Sequence, residues 1–225
     1  MTTGIRTFGI DVSHYNDVID WNKALGGIPG KIHYCYAKAS QLYFDKAGKL
    51  VKQHDAQFDR NWRELARLGL PRGAYHYCMP EFTAQDMADW FFTVYTPTKG
   101  DLIPSLDVED EYVRSIAQGK KTRVQLVDQI LEFASLVEAK IVRKPLIYIR
   151  SDITQALGNP AAFEQYPLWI AQYTAAPTVP DIPKPWNDYA LWQYSESGKW
   201  TGIPGDTDLN FMNGDSTQIA NYTIG

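Results

Sequence analysis

Short apolar runs recur along the chain, and longer amphipathic segments separate several of them. Runs of about four to eight apolar residues are typical of buried strands, because a strand covered on both faces has no polar side. Eight strands are predicted at residues 7–12, 31–39, 72–79, 102–109, 144–150, 167–173, 189–194 and 207–212.

Apolar residues at helical spacing predict helices between several of these strands. One helix covers residues 55–68, where Phe58 and Leu65 lie on the same face. Two more helices begin at Thr83 and Thr122, because a polar side chain three residues after each threonine completes a capping box. Strands that alternate with helices in this way are typical of a closed parallel barrel.

The fold class predicted is therefore α/β, an irregular single-domain (β/α) barrel that resembles a TIM barrel, with about eight strands and fewer than eight helices. Residues 175–188 are rich in proline and irregular. We therefore expect complete strand–helix units mostly in the first two thirds of the chain. No repeat or linker divides the sequence, so we expect one domain over residues 1–225, with its core in residues 5–214.

Composition and charge narrow the range of partners. The chain has 22 Lys and Arg against 26 Asp and Glu, which gives a formal net charge of −4. No basic run is longer than Lys120-Lys121 or Arg143-Lys144, so we do not expect a nucleic acid partner. Aromatic residues make up 13% of the chain, including 14 Tyr and 7 Trp. Such residues suit carbohydrate, whose apolar ring faces lie against flat side chains.

Two further features describe the environment of the protein. No stretch approaches the roughly 20 apolar residues of a membrane span, so we expect no membrane insertion. The two cysteines, Cys35 and Cys78, lie in predicted strands. We expect buried free thiols, with a disulfide between neighbouring strands as the alternative.

Two carboxylates, Asp107 and Glu109, end the fourth predicted strand. Side chains on a strand repeat with period two, so both acids point to the same side. They repel each other when both are ionised, which raises the pKa of at least one. A protonated acid beside an ionised one can cleave a glycosidic bond. Because Asp110 and Glu111 extend the acidic run, a solvated acidic turn is the alternative.

Two more acids belong to other predicted strands. Asp11 lies near the end of the first strand, and Asp208 lies in the last one. In barrels of this kind, functional side chains cluster at the carboxyl ends of the strands. Four acids at three strand ends therefore favour a shared site over a solvated face, with loop capping at the barrel rim as the alternative for Asp11 and Asp208.

Six segments carry a resemblance to a known family. They are GIDVSHY at residues 9–15, GAYHY at 73–77, LDVE at 106–109, LWIAQY at 168–173, WQYS at 192–195 and TDLNF at 207–211, the last followed by Asn213-Gly214. In this order they resemble glycoside hydrolase family 25, the lysozymes of the Chalaropsis type that occur in bacteria and as bacteriophage endolysins. The resemblance extends from Gly9 to Gly214, nearly the whole chain.

The resemblance implies an N-acetylmuramidase that hydrolyses the β-1,4 bond between N-acetylmuramic acid and N-acetylglucosamine in peptidoglycan, for bacterial cell-wall lysis by an endolysin. It implies Glu109 as the general acid and Asp107 as the carboxylate that stabilises positive charge on the sugar. Asp11 and Asp208 would complete an acidic floor. Either the acetamido group of the substrate or a carboxylate would attack, a choice that depends on the carboxyl separation.

The resemblance also implies a sugar groove with no cofactor. The substrate-binding candidates are Tyr15, Lys38, His76, Tyr77, Tyr148, Trp169, Gln172, Tyr173 and Trp192. Lys38 matches a Lys-Ala pattern of the family, which suggests that it orients a carboxylate. We place His76 and His14 along the cleft, with satisfied core histidines as the alternative. The histidines and cysteines lack the spacing of metal ligands, so we expect no metal.

One segment departs from the family. Ser40-Gln41-Leu42 stands where relatives have Ser or Thr followed by Glu-Gly, and the chain through Gln53 is longer and more basic. We expect this segment to be a loop at the border of the cleft, so that it affects which glycans bind.

Delivery and assembly are further expectations. The first residues lack the apolar run of a secretory signal, and no wall-binding repeats follow Gly214. We expect a monomer that stays in the host cytoplasm until a holin opens the membrane, or one that is virion-associated or exported by a non-standard route. The partner expected is the glycan strand of peptidoglycan. The alternatives are a catalytically silent barrel that binds glycan, and a hydrolase of another amino-sugar polymer such as chitin.

Overall fold

A computed structural model describes residues 5–26, 31–173 and 179–225. Within these ranges the strands are β1 (Arg6–Val12), β2 (Cys35–Phe44), β3 (Leu50–His54), β4 (Arg72–Tyr77), β5 (Ser105–Asp107), β6 (Leu146–Arg150), β7 (Leu168–Ala171), β8 (Leu191–Gly198) and β9 (Thr207–Asn213). They form one sheet in the order β1-β9-β8-β7-β6-β5-β4-β2-β3, and β1 also pairs with β2. Eight strands therefore close into a barrel, and β3 lies outside it as the partner of β2 alone.

Helices cover the barrel unevenly. In the described part of the chain they are α1 (Trp21–Gly26), α2 (Phe58–Arg67), α3 (Ala84–Val94), α4 (Asp110–Ala117), α5 (Arg123–Ile141) and α6 (Ser151–Ala156), with short 3-10 turns at His14–Asn16, Ala161–Gln165 and Ser216–Tyr222. The fold class predicted from the sequence, an irregular α/β barrel with fewer helices than strands, is confirmed. None of these helices has the length and apolar character needed to cross a membrane.

Capping explains where two of the helices begin. The Thr83 hydroxyl accepts a hydrogen bond from the backbone N–H of Asp86, whose carboxylate accepts one from the Thr83 backbone N–H. Thr122 and Gln125 form the same reciprocal pair at the start of α5. Each box supplies partners for backbone N–H groups that the first helical turn leaves unpaired, so both predicted helix starts are confirmed.

The barrel is not wholly parallel, which corrects one expectation. β9 runs antiparallel to both of its neighbours, β8 and β1, whereas the other barrel pairs are parallel. The connection between β8 and β9 is short, and a short connection can join only antiparallel strands, since a parallel return needs a longer crossover. The start of β9 therefore lies at the same end of the barrel as the carboxyl ends of the other strands.

The segment predicted as a loop after Lys38 is a hairpin, so that expectation is wrong. Ser40-Gln41-Leu42 continues β2, which runs to Phe44 and pairs antiparallel with β3. The sequence pattern did not predict β3, because this strand is half exposed along its length and lacks an apolar run. A register shift between Lys38 and Ser40 marks a bulge where β2 leaves the barrel.

The fourth predicted strand is shorter than expected. Within residues 102–109 only Ser105–Asp107 is strand, and Glu109 is the residue that precedes the first turn of α4. Glu109 still has extended backbone angles, with φ −123° and ψ −162°. Its side chain does not cap the helix, so the carboxylate remains available for other contacts.

Candidate active site

Strand alternation places polar side chains inside one end of the barrel. Residues at every second position point to the same face of a strand. Asp107 on β5 therefore shares its face with Ser105, and Asp208 on β9 shares its face with Asn210. Asp11 on β1 is the register partner of Asp208, so the first and last strands bring these two acids together.

These side chains surround a cavity of about 170 Å³, which we call the cleft. It is lined by Asp11, Tyr75, Ser105, Asp107, Glu109, Tyr148, Arg150, Trp169, Tyr173, Gln193, Glu196 and Asp208. All four acids predicted as catalytic lie in this lining. Among the described residues, no group of three or more His, Cys, Asp or Glu side chains is arranged to hold a metal ion.

The pKa values of Asp107 and Glu109 are both raised. Asp107 is only 6% exposed, which excludes the solvated acidic turn. Burial, followed by repulsion from Glu109, holds its pKa well above the usual range. Its Oδ1 atom is buried without a hydrogen-bond partner among the described residues. Burial also raises the pKa of Glu109. The pair therefore retains a proton at a pH where isolated carboxyls are ionised.

The two acids that follow the LDVE motif have different partners. Glu111 accepts a hydrogen bond from the Tyr77 hydroxyl at 2.7 Å. Asp110 pairs with Arg150, whose Nη2 lies 2.7 Å from Asp110 Oδ1. Arg150 also contacts Asp152 at 2.8 Å. These contacts hold the first turn of α4 against β4 and β6, and so fix the backbone from which Glu109 projects.

Asp11 and Asp208 form a second acidic pair. Burial, followed by the charge of Asp11, raises the pKa of Asp208 to about 9. Burial also raises the pKa of Asp11, but hydrogen bonds from Asn210 and Gln193 oppose that rise. Two carboxyls close together under a low dielectric share a proton. The cleft thus holds two pairs of acids, and each pair retains a proton at a pH where isolated carboxyls are ionised.

Lys38 lies near Asp107 and Glu109 but does not line the cleft. Its side chain is 7% exposed, and its ammonium group donates to Gln41 Oε1 at 3.0 Å. Its charge lowers the pKa of Asp107 and Glu109, while burial lowers its own pKa. Lys38 therefore acts on the acids through its electric field, without a direct ion pair.

The predicted substrate-binding residues divide into two groups. Tyr148, Trp169 and Tyr173 line the cleft. Tyr15 is 80% exposed in the turn after β1 and packs against His14, with ring centres 4.1 Å apart and the rings tilted by 35°. The Tyr77 ring lies between the Lys38 ammonium group and Glu111. Tyr15 and Tyr77 are therefore outside the lining of the cleft.

The structure corrects the placement of His76, which was expected along the cleft. His76 is fully buried on the outer face of β4, where it contacts Phe91 and Phe133 of the helix layer and the Ser40 hydroxyl. The period of the strand explains this position, because Tyr75 and Tyr77 take the inward face. Burial lowers the pKa of His76 to about 3, so it is a neutral core histidine.

Trp192, Gln172 and His14 were also expected along the cleft, and the structure places them outside its lining. Trp192 is buried on the outer face of β8, against Phe211, and its indole N–H donates to the Gln172 carbonyl. The Gln172 side chain contacts Asp181. His14, also placed along the cleft, forms a 2.6 Å contact between its Nδ1 and Asp55 Oδ2 and is absent from the lining.

Five lining residues were not among the sequence candidates: Tyr75, Ser105, Arg150, Gln193 and Glu196. Strand periodicity identifies three of them, because each lies two positions from a candidate on the same strand. Ser105 precedes Asp107, Tyr75 precedes Tyr77, and Arg150 follows Tyr148. Glu196 had no such signal, since β8 changes register after Gln193.

Comparison with known proteins identifies the family of the chain. Residues 10–203 match the sequence model of glycosyl hydrolases family 25. The chain belongs to this family. It is 30% identical to lysozyme M1 of Streptomyces globisporus, over 97% of this chain and 71% of that protein. It is also 30% identical to the uncharacterized protein YegX of Escherichia coli strain K12, over 96% of this chain and 73% of that protein.

A solved structure supports the fold. The bacterial lysozyme from Streptomyces coelicolor superimposes with a TM-score of 0.83 at 24% sequence identity, over 96% of each chain. The family resemblance predicted from the six motifs is confirmed. The protein is a glycoside hydrolase, and its cleft holds the four acids that the resemblance implied.

Proposed function

We propose that this glycoside hydrolase is a peptidoglycan muramidase that cleaves the β-1,4 bond from N-acetylmuramic acid to N-acetylglucosamine and so degrades the bacterial wall. The observation that carries the proposal is the pair Asp107 and Glu109 in the same cleft as Asp11 and Asp208. The 30% identity to lysozyme M1 supports the choice of substrate.

Glu109 is the proposed general acid. It is the less buried member of its pair, and burial raises its pKa. Its carboxylate does not cap α4. An acid whose pKa is raised keeps its proton to a higher pH and can protonate the departing glycosidic oxygen. Arg150 also lines the cleft, and its charge lowers the pKa of Glu109, which favours the ionised form after the proton has been transferred.

Asp107 is the proposed stabiliser of the developing positive charge. It is held in the wall of the cleft by the pairing of β5 with β4 and β6. With the proton of the pair on Glu109, Asp107 is an ionised carboxylate, and a fixed carboxylate in a site of low dielectric stabilises a cationic sugar without first having to reorganise. Tyr148, Trp169 and Tyr173 supply flat surfaces and hydroxyl groups around the sugar.

The test is an analysis of products from purified sacculi. The sacculi are digested with wild type, Glu109→Gln and Glu132→Gln, a control at an exposed position of α5. Soluble fragments are reduced with borohydride and examined by mass spectrometry. We expect reduced N-acetylmuramic acid ends from wild type and the control, and none from Glu109→Gln.

Other outcomes would reject the proposal in different ways. Reduced N-acetylglucosamine ends would indicate cleavage of the other glycosidic bond. Release of oligomers from chitin, with sacculi left intact, would indicate a different polymer. Binding to sacculi without new reducing ends would indicate a silent barrel.

A further inference from the structure

Two carboxamide side chains hold the carboxylate of Asp11. Its Oδ2 atom accepts hydrogen bonds from Gln193 Nε2 at 2.9 Å and from Asn210 Nδ2 at 2.7 Å. Gln193 is 4% exposed and Asn210 is fully buried. The two donors lie on neighbouring strands of the barrel, β8 and β9, so the sheet holds both amides in place.

The orientation of Asn210 follows from its second partner. Trp169 donates its indole N–H to Asn210 Oδ1 at 2.9 Å. An indole N–H can only donate, so the atom facing it must be the amide oxygen. The NH₂ group of Asn210 must therefore face Asp11, because the reversed amide would place two donors against each other.

Gln193 also donates to Asp11, and its amide oxygen is directed at two hydroxyl groups. Tyr148 donates to Gln193 Oε1 at 2.7 Å, and Tyr173 donates to it at 3.0 Å. With both lone pairs of the oxygen used, the NH₂ group faces Asp11. Trp169 thus fixes Asn210 as a donor, the two tyrosine hydroxyls occupy the oxygen of Gln193, and both amides donate to one carboxylate oxygen.

Donors directed at a carboxylate favour its ionised form. Asp208, the register partner of Asp11, has no comparable set of amide donors among the hydrogen bonds of the described residues. Of the two acids, Asp11 is therefore the one that the surrounding structure stabilises as an anion. The proton shared by the pair therefore lies on Asp208, whose carboxyl group can donate a hydrogen bond to Asp11.

Other titratable groups interact with the charge of Asp11 from the surrounding structure. They include the phenols of Tyr75 on β4 and Tyr148 on β6, the phenol of Tyr34, and the thiol of Cys35 on β2. Burial raises the pKa of each of these groups, so all four remain neutral. The neighbours of Asp11 that exchange a proton with it are thus carboxyl groups, Asp208 next to it and Asp107 across the cleft.

We propose that Asn210 and Gln193 are positioning residues that keep Asp11 ionised and leave the proton of the Asp11 and Asp208 pair on Asp208. The floor of the cleft then presents one anion and one neutral acid, two groups that can receive and donate hydrogen bonds at the same time. An acetamido group has one N–H donor and one carbonyl acceptor, so this floor matches the chemistry of an N-acetylated sugar. The match to substrate rests on the proposed function, but the position of the proton does not.

The first experiment reads proton positions without substrate. Protein labelled with ¹³C at the aspartate carboxyl carbons is titrated by NMR, and the Asp11 and Asp208 signals are assigned from their loss in Asp11→Asn and Asp208→Asn. In wild type at neutral pH we expect Asp11 at the shift of an ionised carboxylate and Asp208 at that of a protonated acid. The reverse assignment, or two ionised acids, would overturn the proposal.

The second experiment removes a donor while preserving the packing. Asn210→Asp keeps an oxygen for the Trp169 N–H but offers Asp11 no amide donor. Its control is Asn213→Asp, on the same strand, where the amide donates to the surface carboxylate of Asp188. Gln193→Glu is the second variant, and it keeps an acceptor for both tyrosine hydroxyls.

We expect Asn210→Asp to raise the pH at which Asp11 takes up a proton by about one unit or more. If the protein is a muramidase, the acidic limb of the pH profile of kcat should move by a similar amount. We expect kcat at neutral pH to fall about tenfold, with KM changed less than about threefold. Asn213→Asp should leave both titration and kinetics unchanged.

The outcomes separate positioning from mere structural support. A folded Asn210→Asp protein with a lower Tm but an unchanged Asp11 titration would overturn the proposal. If Asn210→Asp does not fold, Gln193→Glu provides the same test. If wild type cleaves no sacculi while the NMR titration follows the expectation, the proposed function fails and the inference about the proton stands.

Discussion

The Lys38 ammonium group lies 4.5 Å from the centre of the Tyr77 ring, inside the wall of the barrel next to the Asp107 and Glu109 pair. A buried cation at this position lowers the pKa of both acids. The two acids would otherwise hold their protons more tightly, because burial alone raises their pKa values. Lys38 thus sets the pH range over which the proposed general acid can release its proton.

Replacing Lys38 by methionine removes this charge with little change in volume. The pKa of Asp107 and of Glu109 should rise further, so the proton is lost at a higher pH. We expect the alkaline limb of the pH profile of kcat/KM to move upward by about half a unit to one unit. Lys46→Met, at an exposed position of the β2–β3 connection, is the control. An alkaline limb that does not move in Lys38→Met would show that the charge does not reach the reacting acid.

Asp107→Asn should lower the rate without loss of the fold. An amide has the same shape but no negative charge with which to stabilise a cationic sugar. We expect kcat to fall by about 100-fold or more while KM changes far less, because the contribution is made mainly in the transition state. Asp128→Asn, on the exposed face of α5, supplies the comparison. Near-normal turnover by the Asp107→Asn enzyme would remove Asp107 from the catalytic role.

Asp208→Asn should make the protein more stable at neutral pH. The pKa of Asp208 is about 9 in the folded protein, against about 3.9 for an exposed aspartate. The folded state therefore binds one more proton than the unfolded state between these values, and the free energy of unfolding falls as the pH rises from about 4 to about 9. An asparagine resembles the protonated acid at every pH and does not carry this cost.

The comparison is urea unfolding of wild type and Asp208→Asn at several pH values. We expect the variant to be more stable by about 1 kcal/mol or more at pH 8, with the difference vanishing near pH 4. Activity should fall at the same time, since the acid belongs to the floor of the cleft. A stability difference that does not depend on pH would contradict the raised pKa of Asp208.

Strand periodicity explains which parts of the site could be predicted. Asp107 and Glu109 were identified because an apolar strand ends in two acids at a spacing of two. The same rule applied to β4 assigns Tyr75 and Tyr77 to one face and His76 to the other, which is where His76 lies. His76 was predicted to line the cleft because the motif was assigned as a whole, without separating the two faces of the strand.

The direction of β9 and its register with β1 could not be predicted from the sequence. The apolar run of β9 predicts a strand, but only its pairing with β1 and β8 shows that it is antiparallel. That direction brings Asp208 to the cleft from the start of the strand. Asn210 follows two residues later on the same face, and its contact with Asp11 depends on the register between β1 and β9. Contacts of this kind depend on tertiary pairing, which local pattern does not encode.

Two glycines of the family-like motifs are required by the tyrosines that pack over them. A Cβ atom at Gly9 would lie 2.3 Å from Cζ of Tyr34, and one at Gly73 would lie 2.2 Å from Cε1 of Tyr36. Both tyrosines are fully buried. The backbone of β1 and β4 therefore approaches each ring as closely as only glycine allows.

Gly9→Ala should consequently destabilise the barrel next to Asp11. The Tyr34 ring has to move, and a fully buried side chain can move only by displacing its neighbours. We expect the free energy of unfolding to fall by about 3 kcal/mol, measured by urea denaturation, and the Asp11 and Asp208 pair to lose its register. Gly26→Ala, at the end of α1 with no atom within 4 Å of the added methyl group, should change stability by less than about 1 kcal/mol. If Gly9→Ala and Gly26→Ala unfold at the same urea concentration, close packing of Tyr34 on β1 does not contribute to the stability of the barrel.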